Sequence, residues 1–83
     1  MKQLTIKTKD KILEVIATYH DEELNKDFIL YTDKTYNKDG RLNVFYSLYE
    51  NVDNNIKLID IKTNEERKIG LMLVKEVINS LYE

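Results

Sequence analysis

The spacing of apolar residues changes once along this 83-residue chain, and that change constrains the fold more than any other feature. Up to residue 61, apolar and polar residues mostly alternate, and a period of two places each set on one face of a β-strand, while the segment 28–33 begins as a buried apolar run. From residue 63 onward, apolar residues recur at the three- and four-residue intervals of an α-helix. The chain is therefore predicted to form several strands followed by a single helix. The five segments with strand character are 3–7, 11–19, 28–33, 42–49 and 56–61.

Short polar connections separate these segments, which favours an antiparallel meander. The clearest turn is Asp39-Gly40, because glycine adopts a positive φ without steric cost. We expect a single α+β domain over residues 1–83, in which a twisted antiparallel sheet of four or five strands is followed by one long C-terminal α-helix packed on it. In the second segment, alternation predicts one shared face for Leu13, Val15, Ala17 and Tyr19.

The predicted helix carries a start signal and a wide apolar arc. Thr63 and Glu66 have the spacing of a capping box, in which a hydroxyl and a carboxylate bond to unpaired amides at the helix start. Leu71, Met72 and Tyr82 widen the apolar arc beyond the ~100° typical of a helix that lies on one sheet. Either the sheet wraps around the helix, or one apolar residue is simply exposed, or part of the helix is a dimer or partner surface.

Composition limits the classes of protein to which the chain can belong. It contains no cysteine, so neither a disulfide nor a thiolate-bound metal is expected to add stability. The net charge of −2 provides no global attraction for nucleic acid or an anionic membrane. The longest apolar runs have four residues, far fewer than the ~20 that span a bilayer, and the N-terminus does not resemble a signal peptide. We therefore expect a cytoplasmic protein without a metal, a cofactor or a membrane partner.

No pattern in the sequence is typical of an enzyme. His20 is the only histidine, and a general base needs an orienting partner and a substrate in reach. The loop around residue 40 partly matches a calcium-binding EF-hand loop, but Thr35 and Tyr46 occupy positions that require carboxylates. The two glycines form no phosphate loop, and Gly70, inside the predicted helix, is expected to allow a strand or partner to approach closely. No catalytic, cofactor-binding or metal-binding residues are predicted.

Several stretches of the chain match a known family in order and character. They are Lys11 to Tyr19, Asp27 to Tyr31, Val44 to Tyr46, and the block from Ile56 to Leu81, in which a strand leads through a polar cap into a helix. In these features the chain resembles the YrzB-like family of small uncharacterised proteins from low-GC Gram-positive bacteria. The resemblance implies the sheet-plus-helix architecture, and it implies no activity, cofactor or site residue. The chain departs from the family's acidic character, since its 32–41 loop carries lysine and arginine.

The favoured functional hypothesis is a non-enzymatic protein-interaction module. Its partner is either another protein or a second copy of the chain, because the excess apolar surface of the helix needs a cover. The candidate interaction surface consists of Leu71, Met72 and Tyr82 on the helix, with Tyr36 and Tyr46 near the 32–41 loop.

Two other classes are less favoured. A small module for single-stranded RNA or DNA would stack bases on sheet tyrosines beside lysine and arginine. Its candidate contacts are Tyr31, Tyr36, Lys34, Lys38 and Arg41. The last class is a small hydrolytic enzyme built on strand carboxylates such as Glu14, Asp33 and Asp60.

Overall fold

The chain folds into one antiparallel sheet followed by one helix in the computed structural model, which describes residues 5–7, 12–53 and 55–82. Each strand pairs antiparallel with the next, so the five strands lie in the sheet in chain order. This confirms the predicted α+β meander with a C-terminal helix, while residues 3, 4 and 11 of the predicted segments lie outside the described residues. The elements are β1 (Thr5–Lys7), β2 (Ile12–Asp21), β3 (Lys26–Thr32), β4 (Phe45–Val52), β5 (Asn55–Ile59) and α1 (Asn64–Tyr82).

A β-bulge in β2 divides its side chains between the two faces of the sheet. Val15 pairs with Tyr31 and Ala17 with Leu30, so one extra residue of β2 lies between the two pairs. Directly opposite residues of an antiparallel pair point to the same face. Ala17 and Tyr19 therefore lie on the opposite face from Val15, and the single shared face predicted by alternation is wrong for the second half of the strand.

Different structures bury the two faces of the sheet. On the side that carries α1, here called the helix face, Phe28, Leu30 and Leu48 are almost completely buried. The opposite side, here called the cluster face, holds an apolar cluster around Leu13 and Ile29 to which all five strands contribute. In a flat sheet the outermost strands would lie ~19 Å apart. The shared cluster therefore indicates that the sheet curls.

The helix lies across β3 and β4 and is anchored at its first turn. The Glu66 amide donates to Thr63 Oγ1 at 3.1 Å, and Glu66 Oε1 accepts from the Thr63 amide at 3.2 Å, which confirms the capping box. The same carboxylate, only 1% exposed, accepts bonds from the Lys26 ammonium of β3 and from the Lys62 amide. These bonds lower the pKa of Glu66 from 4.5 to about 2, and the bond from Lys26 has the largest effect. Burial acts in the opposite direction and raises the pKa. One carboxylate thus joins the sheet, the cap and the helix.

Gly70 marks the place where α1 comes closest to the sheet. A Cβ atom at this position would lie 2.8 Å from Cγ of Tyr46 and still closer to two other ring carbons. The bare backbone of the helix therefore rests on the Tyr46 ring. This confirms that a strand approaches the helix closely at Gly70.

The loop between β3 and β4 is closed by its own hydrogen bonds. Tyr36 and Leu42 form an isolated antiparallel bridge, and the Asn37 side chain accepts bonds from two backbone amides of the turn at 2.9 and 3.1 Å. Gly40 has a φ of 78°, which confirms the turn predicted there. We refer to residues 33–43 as the β3–β4 loop.

Candidate interaction surface

The helix residues predicted from the sequence do not all lie on one side of α1. Leu71 is 53% exposed and Met72 is 55% exposed, but consecutive helical residues point about 100° apart. Tyr82, eleven positions after Leu71, points within about 20° of it. Met72 instead lies between Lys68 and Glu76, one turn before and after it. The structure therefore brings Leu71 and Tyr82 to one side and separates Met72 from them.

Four apolar residues form a continuous stripe along that side of the helix. They recur at intervals of three and four residues, which is the spacing of the a and d positions in helix–helix contacts. The stripe lies about a quarter turn away from the sheet contacts made by Glu66 and Gly70. Two of its members are exposed and two are half-buried. We call it the α1 seam: Leu71, Val74, Ile78 and Leu81.

Positive charge borders the outer edge of the α1 seam. Arg67, Lys68 and Lys75 are exposed on this side of the helix and form no ion pair with any described residue. The exposed acidic side chains of α1, Glu65 and Glu76, lie on the far side, next to Met72. The solvent edge of the seam is therefore cationic along the described helix.

The C-terminal end of α1 is fixed to the β3–β4 loop by Tyr82. The Leu42 amide donates to the Tyr82 hydroxyl oxygen at 2.7 Å. The Arg41 guanidinium lies 5.5 Å from the centroid of the Tyr82 ring, within the range of a cation–π contact. Arg41 and Tyr82 thus contact each other within the molecule, and the loop is held against the last turn of the helix.

Next to the end of the α1 seam, a groove of about 490 Å³ opens toward β2. Its apolar lining includes Ile16, Leu42 and Leu81, and the Lys34 ammonium pairs with Glu14 at 3.0 Å on its border. Because Leu81 belongs to the seam and Ile16 to β2, the seam side of α1 faces β2.

The helix face of β2 is not covered by α1 in the described structure. Ile12 is 65% exposed and Tyr19 is 44% exposed, and the strand register places both on the helix face. The contacts of α1 are with β3 and β4, so the helix face of β2 lies beside the helix. The α1 seam and the helix face of β2 together form two walls of an open cleft, which we call the α1–β2 cleft.

Tyr46, predicted as a surface residue, is half-buried beneath the helix. Its ring packs on Gly70, so its main contact is within the fold. Tyr36, by contrast, is 62% exposed and lies on the border of the groove at the end of the cleft. Of the predicted interaction residues, Leu71, Tyr82 and Tyr36 therefore lie along or beside the α1–β2 cleft.

Of the residues predicted to contact nucleic acid, Tyr31 lies in β3 and the other four lie in the β3–β4 loop. Tyr31 is half-buried on the cluster face, where its ring lies 5.7 Å from that of Phe45. Burial, together with the charge of Asp33, raises the pKa of the Tyr31 hydroxyl. Within the loop, Lys34 lies in its ion pair, Tyr36 by the groove, Lys38 at the loop tip and Arg41 on a helix ring. The structure brings Lys34 and Tyr36 to the same groove and places Tyr31 on the cluster face, away from them.

His20 and Glu66, two polar side chains that could have served a catalytic or metal site, are paired within the fold. His20 and Asp27 lie opposite each other on β2 and β3, with Nδ1 and Oδ1 2.7 Å apart, and both are half exposed. A second pocket, of about 350 Å³, lies beside the first turn of α1, and Glu66 in its wall is already bound by Lys26 and the cap. Within the residues described, no three His, Asp or Glu side chains are grouped so that they could hold a metal ion.

Over the described ranges, no helix has both the length and the hydrophobicity that a membrane span needs.

Comparison with known proteins leaves the family of this chain open. The resemblance to the YrzB-like family stays a prediction from the sequence. No family model matches the chain, and neither does any curated protein or solved structure.

Proposed function

We propose that the protein is a non-enzymatic protein-interaction module that binds its partner in the α1–β2 cleft. One observation carries the proposal: Leu71 and Leu81, both more than half exposed, lie on the side of α1 that faces β2, and the helix face of β2 carries the exposed Ile12 and Tyr19. Apolar side chains that lie together on a surface are typical of sites that another protein covers.

The position of the helix supports this proposal. The first turn of α1 is held by Glu66 and Lys26, its middle rests on Tyr46, and its last residue is bound to the β3–β4 loop. A surface held at three points loses little conformational freedom when it binds, which favours affinity.

The proposal is tested by two substitutions at neighbouring residues whose side chains point in different directions from the helix. Leu71→Glu places a charge on the α1 seam, and Met72→Glu places the same charge at nearly equal exposure outside it. Biotinylated wild type and both variants are used to capture proteins from the native cell extract, and the bound proteins are quantified by mass spectrometry. We expect Leu71→Glu to lower capture of the specific partner by about tenfold or more, since charging one central apolar anchor costs ~2 kcal/mol. Met72→Glu is expected to retain it.

Circular dichroism of both variants checks that the fold is intact. We expect it to be, because substitutions at exposed positions usually change stability little. Equal capture by Leu71→Glu and Met72→Glu would contradict the proposal. Light scattering on the same three proteins tests self-association. A dimer that dissociates with Leu71→Glu alone identifies the partner as a second copy.

A further inference from the structure

The α1–β2 cleft lies beside α1 on the same face of the sheet. The helix packs over β3 and β4. The surface next to it, over β2, is therefore open to a further element. Two-layer α+β domains bury a sheet face with helices, and this arrangement leaves room for a second helix from outside the chain.

The spacing of the α1 seam also favours a helix as the occupant. Leu71, Val74, Ile78 and Leu81 follow a–d–a–d spacing over about three turns, and side chains at this spacing interdigitate with those of a parallel or antiparallel helix. An added strand would instead need a row of unpaired backbone groups, which a helix surface does not offer. The groove at Leu81 is placed to receive a large apolar side chain near the end of that helix.

The charges along the cleft determine which helix fits. Lys68 and Lys75 occupy the positions that flank the seam, where charged residues select the partner in helix pairs. Two copies of α1 packed antiparallel, seam to seam, would place these lysines near one another with no carboxylate between them. Like charges at flanking positions oppose such a pair, whereas glutamate or aspartate on the incoming helix would complement them.

We infer that the α1–β2 cleft binds an acidic amphipathic helix of a partner protein. Its apolar stripe packs between the α1 seam and Ile12 and Tyr19 of β2, and its carboxylates pair with Lys68 and Lys75. The inference rests on the proposed function and specifies the class of partner.

The test uses two synthetic peptides of about 18 residues, long enough to span the seam. Both carry leucine at the a and d positions, and their flanking positions are all glutamate in one peptide and all lysine in the other. Fluorescence anisotropy measures the binding of each labelled peptide to the full-length protein at low and at high salt. We expect the glutamate peptide to bind about tenfold more tightly at low salt, with a smaller difference at high salt.

Charge reversal distinguishes this inference from nonspecific attraction. The double variant Lys68→Glu/Lys75→Glu is expected to reverse the preference, so that the lysine peptide binds more tightly. The control Lys38→Glu/Lys57→Glu changes the net charge equally at exposed positions away from the seam, and is expected to keep the preference for the glutamate peptide.

Three outcomes would overturn the inference: no binding of either peptide, a preference that both double variants alter equally, or binding to phosphatidylserine vesicles in place of the glutamate peptide. If Leu71→Glu still abolishes capture from the extract in any of these cases, the interaction module stands and only the acidic helix is rejected. If capture is insensitive to Leu71→Glu, the proposed function itself falls.

Discussion

Gly70→Ala is expected to lower the free energy of unfolding by up to about 2 kcal/mol, although alanine is the better helix former. Helix propensity alone predicts a gain of ~1 kcal/mol. The added Cβ, however, would lie 2.8 Å or less from carbons of the Tyr46 ring, and overpacking of this kind costs ~1–3 kcal/mol. Since the close atoms belong to a ring that lies between the helix and β4, the ring cannot move away without disturbing one of them. Urea unfolding followed by circular dichroism measures the difference.

A second background separates the two effects. In a Tyr46→Ala protein the ring is absent, and Gly70→Ala is expected to stabilise by ~1 kcal/mol, the value of helix propensity alone. The four proteins form a double-mutant cycle whose coupling energy reports the contact between position 70 and the ring. A stabilising Gly70→Ala in the presence of Tyr46 would show that the helix does not rest on this ring.

Acidification is expected to remove the stability that Glu66 contributes, in a defined pH window. Its pKa is lower in the folded protein, about 2, than the ordinary value of 4.5, so the unfolded chain takes up the proton first as the pH falls. The contribution is therefore complete above pH 4.5 and is lost as the pH falls toward 2. Glu66→Gln keeps an oxygen for the cap but loses the attraction of Lys26. Wild type should be more stable than this variant at neutral pH, and the difference should shrink through the window.

The measurement is the urea midpoint of both proteins across that range of pH. Thr63→Ala serves as the control, because it removes the cap hydroxyl, costs ~1 kcal/mol and introduces no titrating group. Its difference from wild type should stay constant with pH. If the difference between wild type and Glu66→Gln were equally constant with pH, Lys26 would not lower the pKa of Glu66 as the structure indicates.

Local patterns in the sequence predict most of the fold. Alternation identifies most of the strands, the apolar run at 28–31 identifies β3, and the capping box at Thr63 identifies the first turn of the helix. The bulge after Val15 leaves no such pattern, since Ile16 and Ala17 are as apolar as their neighbours. The register of β3 decides which face Tyr19 occupies, and that register is a property of the assembled sheet.

The candidate surface was harder to predict than the fold for a similar reason. Leu71 and Met72 are adjacent, apolar and nearly equally exposed, and the contacts that hold α1 on the sheet, such as that between Gly70 and Tyr46, determine which way each points. The a–d spacing of the seam is present in the sequence, but it overlaps with the spacing of the residues that face the sheet. That β2 would stay uncovered depends on where α1 crosses the sheet, which no local pattern specifies.

The bond between the Leu42 amide and Tyr82 has a consequence for the motions of the molecule. Helix ends usually fray independently of the rest of a protein. Here the last turn of α1 cannot open without releasing a backbone group of the β3–β4 loop, forty residues earlier in the chain. The end of the helix and the loop should therefore open as one cooperative unit, and a helix that settles beside Leu81 would slow the fluctuations of both.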